Sequence, residues 1–167
     1  MFSGEFRKFL FLFLSAAAIV FILFWPSLSG DFTLDDHSVI EKGLQNRSFI
    51  ENLFEVWVSP WHPGGQWAGN YRPLTSLSFV FNLLFSASPA GFRIINILLY
   101  ALNAVFVFYL VRKLSSDRTA HLTAILFLFL PIHSEVAMSI VGRVYLLGTL
   151  FSLFSVYYFF EKRYWPS

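Results

Sequence analysis

The 167-residue chain has no cysteine, which excludes disulfides, thiolate nucleophiles and Cys-ligated zinc or iron–sulfur centres. Charge is also scarce: 13% of residues are Asp, Glu, Lys or Arg, against about 25% in soluble domains. With so few ionisable groups the chain cannot cover its own surface in water, so a soluble globular domain is excluded. Disorder is excluded too, because it requires low hydrophobicity and high net charge. Twelve Lys and Arg face ten Asp and Glu, a formal charge of +2, and no basic cluster of the kind that grips nucleic acid is present. Internal repeats and low-complexity tracts are missing as well. What is abundant is apolar: 56% of residues are hydrophobic, 22 are Phe, and the mean hydropathy is +0.61. The expected fold class is therefore an all-α integral membrane protein of about four spans, each using roughly 20 residues, with one substantial loop.

The expected spans are approximately 9–25, 92–111, 116–132 and 136–160 within a single membrane domain. The first follows Arg7-Lys8 and runs 17 residues from Phe9 to Trp25. It is read as a retained anchor, since signal-peptide cores run about 7–15 residues, although Ser27-Leu28-Ser29-Gly30 would serve as a small-residue cleavage site. The second is interrupted only by Arg93, Asn96 and Asn103 and closes on Arg112-Lys113. The third starts at the N-cap cluster Ser115-Ser116-Asp117, and the fourth ends at Glu161-Lys162-Arg163 with Tyr157, Tyr158, Tyr164 and Trp165 as an interfacial belt. Arg7, Lys8, Arg112, Lys113, Arg118, Lys162 and Arg163 all fall at connections that alternating spans put on one side, so both termini are expected in the cytoplasm. The loop 26–91 then faces outward, in a bacterial inner membrane or the ER membrane.

That loop is acidic, with Asp31, Asp35, Asp36, Glu41, Glu51 and Glu55 against Lys42, Arg47 and Arg72, and loops of such length are usually functional. Ser38 to Val58 has loosely helical apolar spacing, Ser59 to Gly65 reads as turn, and Leu74 to Phe85 reads as an interfacial helix too short to span. Asn46-Arg47-Ser48 is an N-glycosylation sequon, meaningful in a eukaryotic host.

Ionisable groups in or beside a bilayer are costly and are functional candidates for that reason. Asp35 and Asp36 form an adjacent carboxylate pair, in which partial desolvation pushes one pKa upward, as suits a base acting on a hydroxyl; an acidic turn or helix cap is the plain alternative. Arg72, opening the interfacial segment, suits either phosphate binding or a headgroup anchor. His133 and Glu135 return to the outer leaflet between the third and fourth spans. Arg143, eight residues beyond Glu135, is expected about 12 Å deeper along the fourth helix, paired with Glu135 or with Asp35 or Asp36. That pair is read as structural or as part of a phosphate-binding or catalytic site. His37, His62 and His133 match no metal-ligand spacing; a divalent metal is compatible with the acids but unsupported.

Taken in order, these motifs resemble the amino-terminal part of the GT-C membrane glycosyltransferases. They look most like the transmembrane O-mannosyltransferases that act on cadherins and their bacterial relatives with tetratricopeptide repeats. The matching stretches are Phe32-Thr33-Leu34-Asp35-Asp36-His37, Asn70-Tyr71-Arg72-Pro73-Leu74, Phe92 to Asn103, and Pro131-Ile132-His133-Ser134-Glu135-Val136-Ala137 with Gly142-Arg143 and Leu146-Leu147. Leu130 stands where that family usually has the first His of His-Pro-x-His, and the family has further spans. A fragment of a longer enzyme, or a reduced relative, is therefore expected. The resemblance implies a partial GT-C-like fold and an inverting transfer of a sugar, mannose, from a polyprenyl-phosphate carrier to a hydroxyl acceptor on protein or glycan. No cofactor is implied beyond the lipid-phosphate-linked donor. Asp35 and Asp36 are implied as catalytic, and Arg72, His133, Glu135 and Arg143 as binding donor phosphate or substrate. A non-catalytic lipid-phosphate binder or membrane scaffold is the alternative reading. A transporter half fits less well, because the polar groups gather at one face.

Overall fold

A computed structural model describes residues 4–60 and 70–163. His62, the turn residues Trp61 to Gly65, and the belt residues Tyr164 and Trp165 lie outside the described residues. The architecture is all-α, with helices α1 (Gly4–Phe24), α2 (Phe49–Val58), α3 (Pro73–Leu83), α4 (Pro89–Leu114), α5 (Asp117–Phe129), α6 (Ser134–Met138) and α7 (Arg143–Arg163). Among the described residues, three helical segments are long and apolar enough to cross a membrane: Gly4–Ser29, Pro89–Leu114 and Arg143–Glu161. A fourth crossing is available only if Asp117–Phe129 and Pro131–Met138, bent by 55°, count as one span.

Helix starts follow from local chemistry. Ser88 accepts from Gly91 N and precedes Pro89, so α4 begins with its free N–H groups partly satisfied and no donor wasted at the first position. Ser116 accepts from Thr119 N and opens α5, with Asp117 in the positive first turn. α4 is the central post: α1, α5 and α7 all pack on it, and Ile97, Tyr100, Ala101, Ala104 and Val105 are buried along its length. One end of the bundle gathers the ionic contacts. Arg112 meets Asp117 at 2.9 Å and Glu5 at 3.8 Å, and Lys113 pairs with Glu161. These contacts bring the start of α1, the end of α4, the start of α5 and the end of α7 to a common face, the arrangement that alternating spans require.

The opposite end carries the loop, which builds its own core from Phe32, Val39, Ile40, Leu44, Val56, Phe79 and Val80, seated on Phe92 and Ile140. The expected single helix from Ser38 to Val58 is two elements. A π-helical turn covers His37–Leu44, with Gln45 N donating to Ile40 O at 2.8 Å. The chain restarts at a capping box, where Ser48 Oγ accepts from Glu51 N and Glu51 Oε2 accepts from Ser48 N at 2.8 Å. The expected interfacial helix is α3, which buries Thr75, Phe79, Val80 and Asn82 on one face.

Two departures bear on the site. The third segment ends as a helix at Phe129 because Pro131 has no N–H to offer the carbonyl of Phe127. Tyr100 supplies the missing donor, its hydroxyl lying 2.5 Å from Phe127 O. The expected fourth helix from Val136 is likewise broken: α6 stops at Met138 and α7 starts at Arg143. Arg143 therefore opens a helix rather than lying two turns inside one.

Candidate functional site: a polar clamp on the break before the last helix

Irregular backbone that is buried is tolerated only where its N–H and C=O groups find partners. Each buried group left unpaired costs about 1–3 kcal/mol. The break Ser139–Gly142 meets this demand with side chains from α4 and from the loop. Asn96 of α4 donates to Ser139 O at 2.8 Å and to Ile140 O at 3.3 Å. Arg93, one turn earlier, donates through Nε to Met138 O at 3.2 Å, through Nη2 to Asp31 O at 2.5 Å, and through Nη1 to Gly30 O. Asp36 accepts from Val141 N at 3.2 Å. Gly142 completes the turn, for a Cβ there would lie 2.4 Å from Val136 O.

The two aspartates have different positions. Asp36 is fully buried, and its Oδ2 accepts from Thr33 N at 3.1 Å and Thr33 Oγ1 at 3.2 Å while Oδ1 takes Val141 N. Burial raises its pKa above the ordinary carboxylate value, opposed by those three donors and by the Arg93 charge. The upward shift expected of one member of the pair thus falls on Asp36, with desolvation as its main cause. Asp35 is exposed and sits between Leu34, a non-glycine residue at φ 47°, and the π-helical turn. A left-handed conformation at Leu and a π-helical turn are both features found more often at functional sites than elsewhere.

Arg143 is fully buried, and its partners are not the expected acids. Nε donates to Asn96 Oδ1 at 2.8 Å, Nη2 to Asn82 Oδ1 at 2.9 Å and to Phe92 O at 2.8 Å, and Nη1 to Ser78 O at 3.3 Å. The guanidinium also stacks 4.5 Å from the Phe79 ring centre and 5.6 Å from that of Phe92, a favourable cation–π arrangement when desolvated. The expected pairing with Glu135, Asp35 or Asp36 is not among these contacts: neutral oxygens from α3 and α4 surround the group instead. Helix α7 is thereby fastened to the loop and to α4 at its first residue.

Glu135 is exposed on a cleft of about 370 Å³ that it shares with Arg93, Asp31, Thr33 and Ser139. His133 is half-buried, with its ring 4.5 Å from that of Phe127 and 5.9 Å from that of Tyr100. Arg72 is half-buried at the start of α3, where its carbonyl accepts from Ser76 N at 3.0 Å. The structure thus joins Asp36 to the residues just before Arg143, and puts Glu135 beside the loop entrance. Among the described residues no three His, Asp or Glu side chains converge as metal ligands. Sequence reasoning passed over Arg93, Asn82 and Asn96; the signal was their cost inside apolar helices, where each polar group needs a named partner.

Fold and site together define a polytopic helical membrane protein with an acidic, independently cored loop clamped onto a broken helix at one face. The chain is homologous to the protein O-mannosyl-transferases of the TMTC group. It is 32% identical to protein O-mannosyl-transferase TMTC3 of Mus musculus over 141 residues, covering 81% of this chain and 15% of that protein. It is 32% identical to TMTC4 of Homo sapiens over 167 aligned positions, covering 85% of this chain and 22% of that one. Tmtc1 of Drosophila melanogaster is 31% identical, with 76% of this chain and 15% of that protein covered. The chain therefore spans about a fifth or less of the length of these relatives. No protein-family model and no solved structure matches it. These relatives bear out the expected resemblance to O-mannosyltransferases.

Proposed function

We propose that this chain forms the acceptor-activating part of a GT-C-type glycosyltransferase that moves mannose from a polyprenyl-phosphate carrier to a hydroxyl of protein or glycan on the extracytoplasmic face. The proposal has the acceptor oxygen attack the anomeric carbon while the bond from that carbon to the phosphate oxygen breaks. The lipid phosphate leaves with the electron pair, and the hydroxyl proton passes to Asp35. The observation that carries the reading is the division of labour between the aspartates: Asp36 is buried and committed to Thr33 and Val141, whereas Asp35 is exposed on the strained turn that Asp36 holds.

Asp36 is a positioning residue in this scheme. Arg72, at the head of the interfacial helix, is assigned to the donor phosphate, where a guanidinium can bind two oxygens at once. Glu135 lines the cleft beside the loop entrance and is assigned to substrate binding, with His133 supporting that turn. Arg143 acts through the clamp, since its donors already engage protein oxygens.

The test is transfer of radiolabelled mannose from polyprenyl-phosphate mannose to an acceptor peptide by membranes containing the chain. Asp35→Asn is expected to reduce transfer by about 10²–10⁴-fold, the contribution of a positioned base, with unchanged helical content. Near-normal turnover by Asp35→Asn overturns the base assignment. Donor binding without transfer by the unmodified chain favours a non-catalytic lipid-phosphate binder, consistent with an Arg143 that is structural.

A further inference from the structure

At the end of the bundle remote from the loop, α1 and α5 diverge over α4 and leave a continuous groove. Its inner part is an apolar crevice of about 120 Å³ floored by Ala104, Val105 and Phe108 and walled by Ala16 and Ile19 on one side and Ala124 on the other. The small side chains of Ala16, Ala104 and Ala124 account for the space. Its outer part, about 250 Å³, lies at the ionic face and is lined by Lys8, Arg112, Asp117 and His121 among apolar neighbours. Leu12, Phe108 and His121 line both parts, which makes them one groove.

The mouth is cationic on balance. Arg7, Lys8, Arg112, Lys113 and Arg118 lie at these helix ends against Glu5, Asp117 and Glu161. Asp117 is engaged by Arg112 Nε at 2.9 Å, Glu5 lies 3.4 Å from Lys8 Nζ, and Glu161 is taken by Lys113. His121 lies where the polar mouth becomes the apolar crevice, with Nδ1 2.7 Å from Asp117 O. Positive charge at headgroup level opening directly onto a slot as apolar as a hydrocarbon chain has the chemistry of an anionic lipid.

We infer that this groove binds one anionic glycerophospholipid, with its phosphate at Lys8 and Arg112 and an acyl chain between α1 and α5. The site is separate from the acidic loop and does not depend on the glycosyltransferase reading. It fastens α5, a helix of 13 residues, to α1 through a lipid.

The test is native mass spectrometry of the 167-residue chain released from nanodiscs containing equal phosphatidylglycerol and phosphatidylcholine. The chain is expected to retain a single phosphatidylglycerol in preference to phosphatidylcholine. Arg112→Gln should lower that occupancy about fivefold, the worth of one basic residue near a membrane surface. Ala124→Phe, which fills the crevice, should abolish retention of either lipid while circular dichroism stays unchanged. If Arg112→Gln fails to fold after losing its contacts to Asp117 and Glu5, Lys8→Gln gives the same reading. No retained lipid, equal retention of both lipids, or full retention by Ala124→Phe overturns the proposal. Displacement by inorganic phosphate alone also overturns it, by showing a site for a free anion rather than for a lipid.

Discussion

Replacing Arg143 by Lys keeps the positive charge and removes the planar fork, which isolates what the guanidinium geometry contributes. In the native arrangement Nε holds Asn96 Oδ1 at 2.8 Å while Nη2 holds Asn82 Oδ1 at 2.9 Å and Phe92 O at 2.8 Å. A lysine ammonium is a single point and cannot serve acceptors presented to two separate nitrogens. About two charge-assisted bonds are lost, each worth about 1.5–3 kcal/mol, and the stacking on Phe79 is weakened. The expected loss is about 3–5 kcal/mol, of the size found when a buried charge loses its partners. For a chain of this length each kcal/mol moves the melting temperature by about 2–4 °C, so Arg143→Lys should melt roughly 10 °C lower. The assay is thermal unfolding in detergent, followed by circular dichroism, without any donor lipid. An arginine kept for binding phosphate would behave differently: in the empty protein its replacement would be neutral or stabilising. A variant melting within about 2 °C of the parent refutes the clamp assignment and returns Arg143 to the donor site.

Asp36→Asn places an amide NH2 opposite Thr33 N–H or Val141 N–H, where the carboxylate offered two acceptors; it is expected to cost about 1–3 kcal/mol. Because burial raises the folded-state pKa of Asp36 above 3.8, its contribution to stability is greatest below that value and falls as pH rises through the raised one; Asp36→Asn should flatten that part of the stability–pH curve, and an unchanged slope contradicts the assignment. Gly142→Ala forces a methyl to within 2.4 Å of Val136 O and should shift the α6–α7 break enough to lower the melting temperature; unaltered melting would show that the turn has room. His37 lies 2.6 Å from Glu41, and that hydrogen bond raises its pKa above 6.5; the contact strengthens below 6.5 and is lost as pH rises through the raised value. A ¹³C-histidine NMR titration should show the raised midpoint, and Glu41→Gln should bring it down.

How far the sequence disclosed this arrangement depended on what each signal measures. Hydropathy located the long segments because an apolar run of span length has few other uses, and Ser116 marked the start of α5 through its capping chemistry. The break at Ser139–Gly142 stayed hidden because Val136 to Phe160 is apolar in the main, with Arg143 its one charge, and such a run does not distinguish helix from irregular backbone whose polar groups are satisfied elsewhere. The partners of Arg143 were hidden for a related reason. Charge invites a search for opposite charge, yet Asn82, Asn96 and the carbonyls of Phe92 and Ser78 meet its hydrogen-bonding needs. Asp35 and Asp36 are indistinguishable as a dipeptide; only tertiary packing buries one and exposes the other.

The clamp also supplies a reason for the polar residues to lie where they do along α4. Arg93 and Asn96 are one turn apart and face the same segment, so their donors fall on Met138, Ser139 and Ile140 in succession. Asn96 uses its amide for that segment and its oxygen for Arg143, which makes it the joint between break and helix. Val141, two residues before Arg143, is the point at which the loop enters through Asp36. A shift of the start of α7 therefore moves Val141, and with it the carboxylate that holds the Thr33–Asp36 turn. The exposed Asp35 is carried on that turn. Its position is set through Arg143, Asn96, Val141 and Asp36 in sequence, so the buried arginine bears on an exposed carboxylate without touching it.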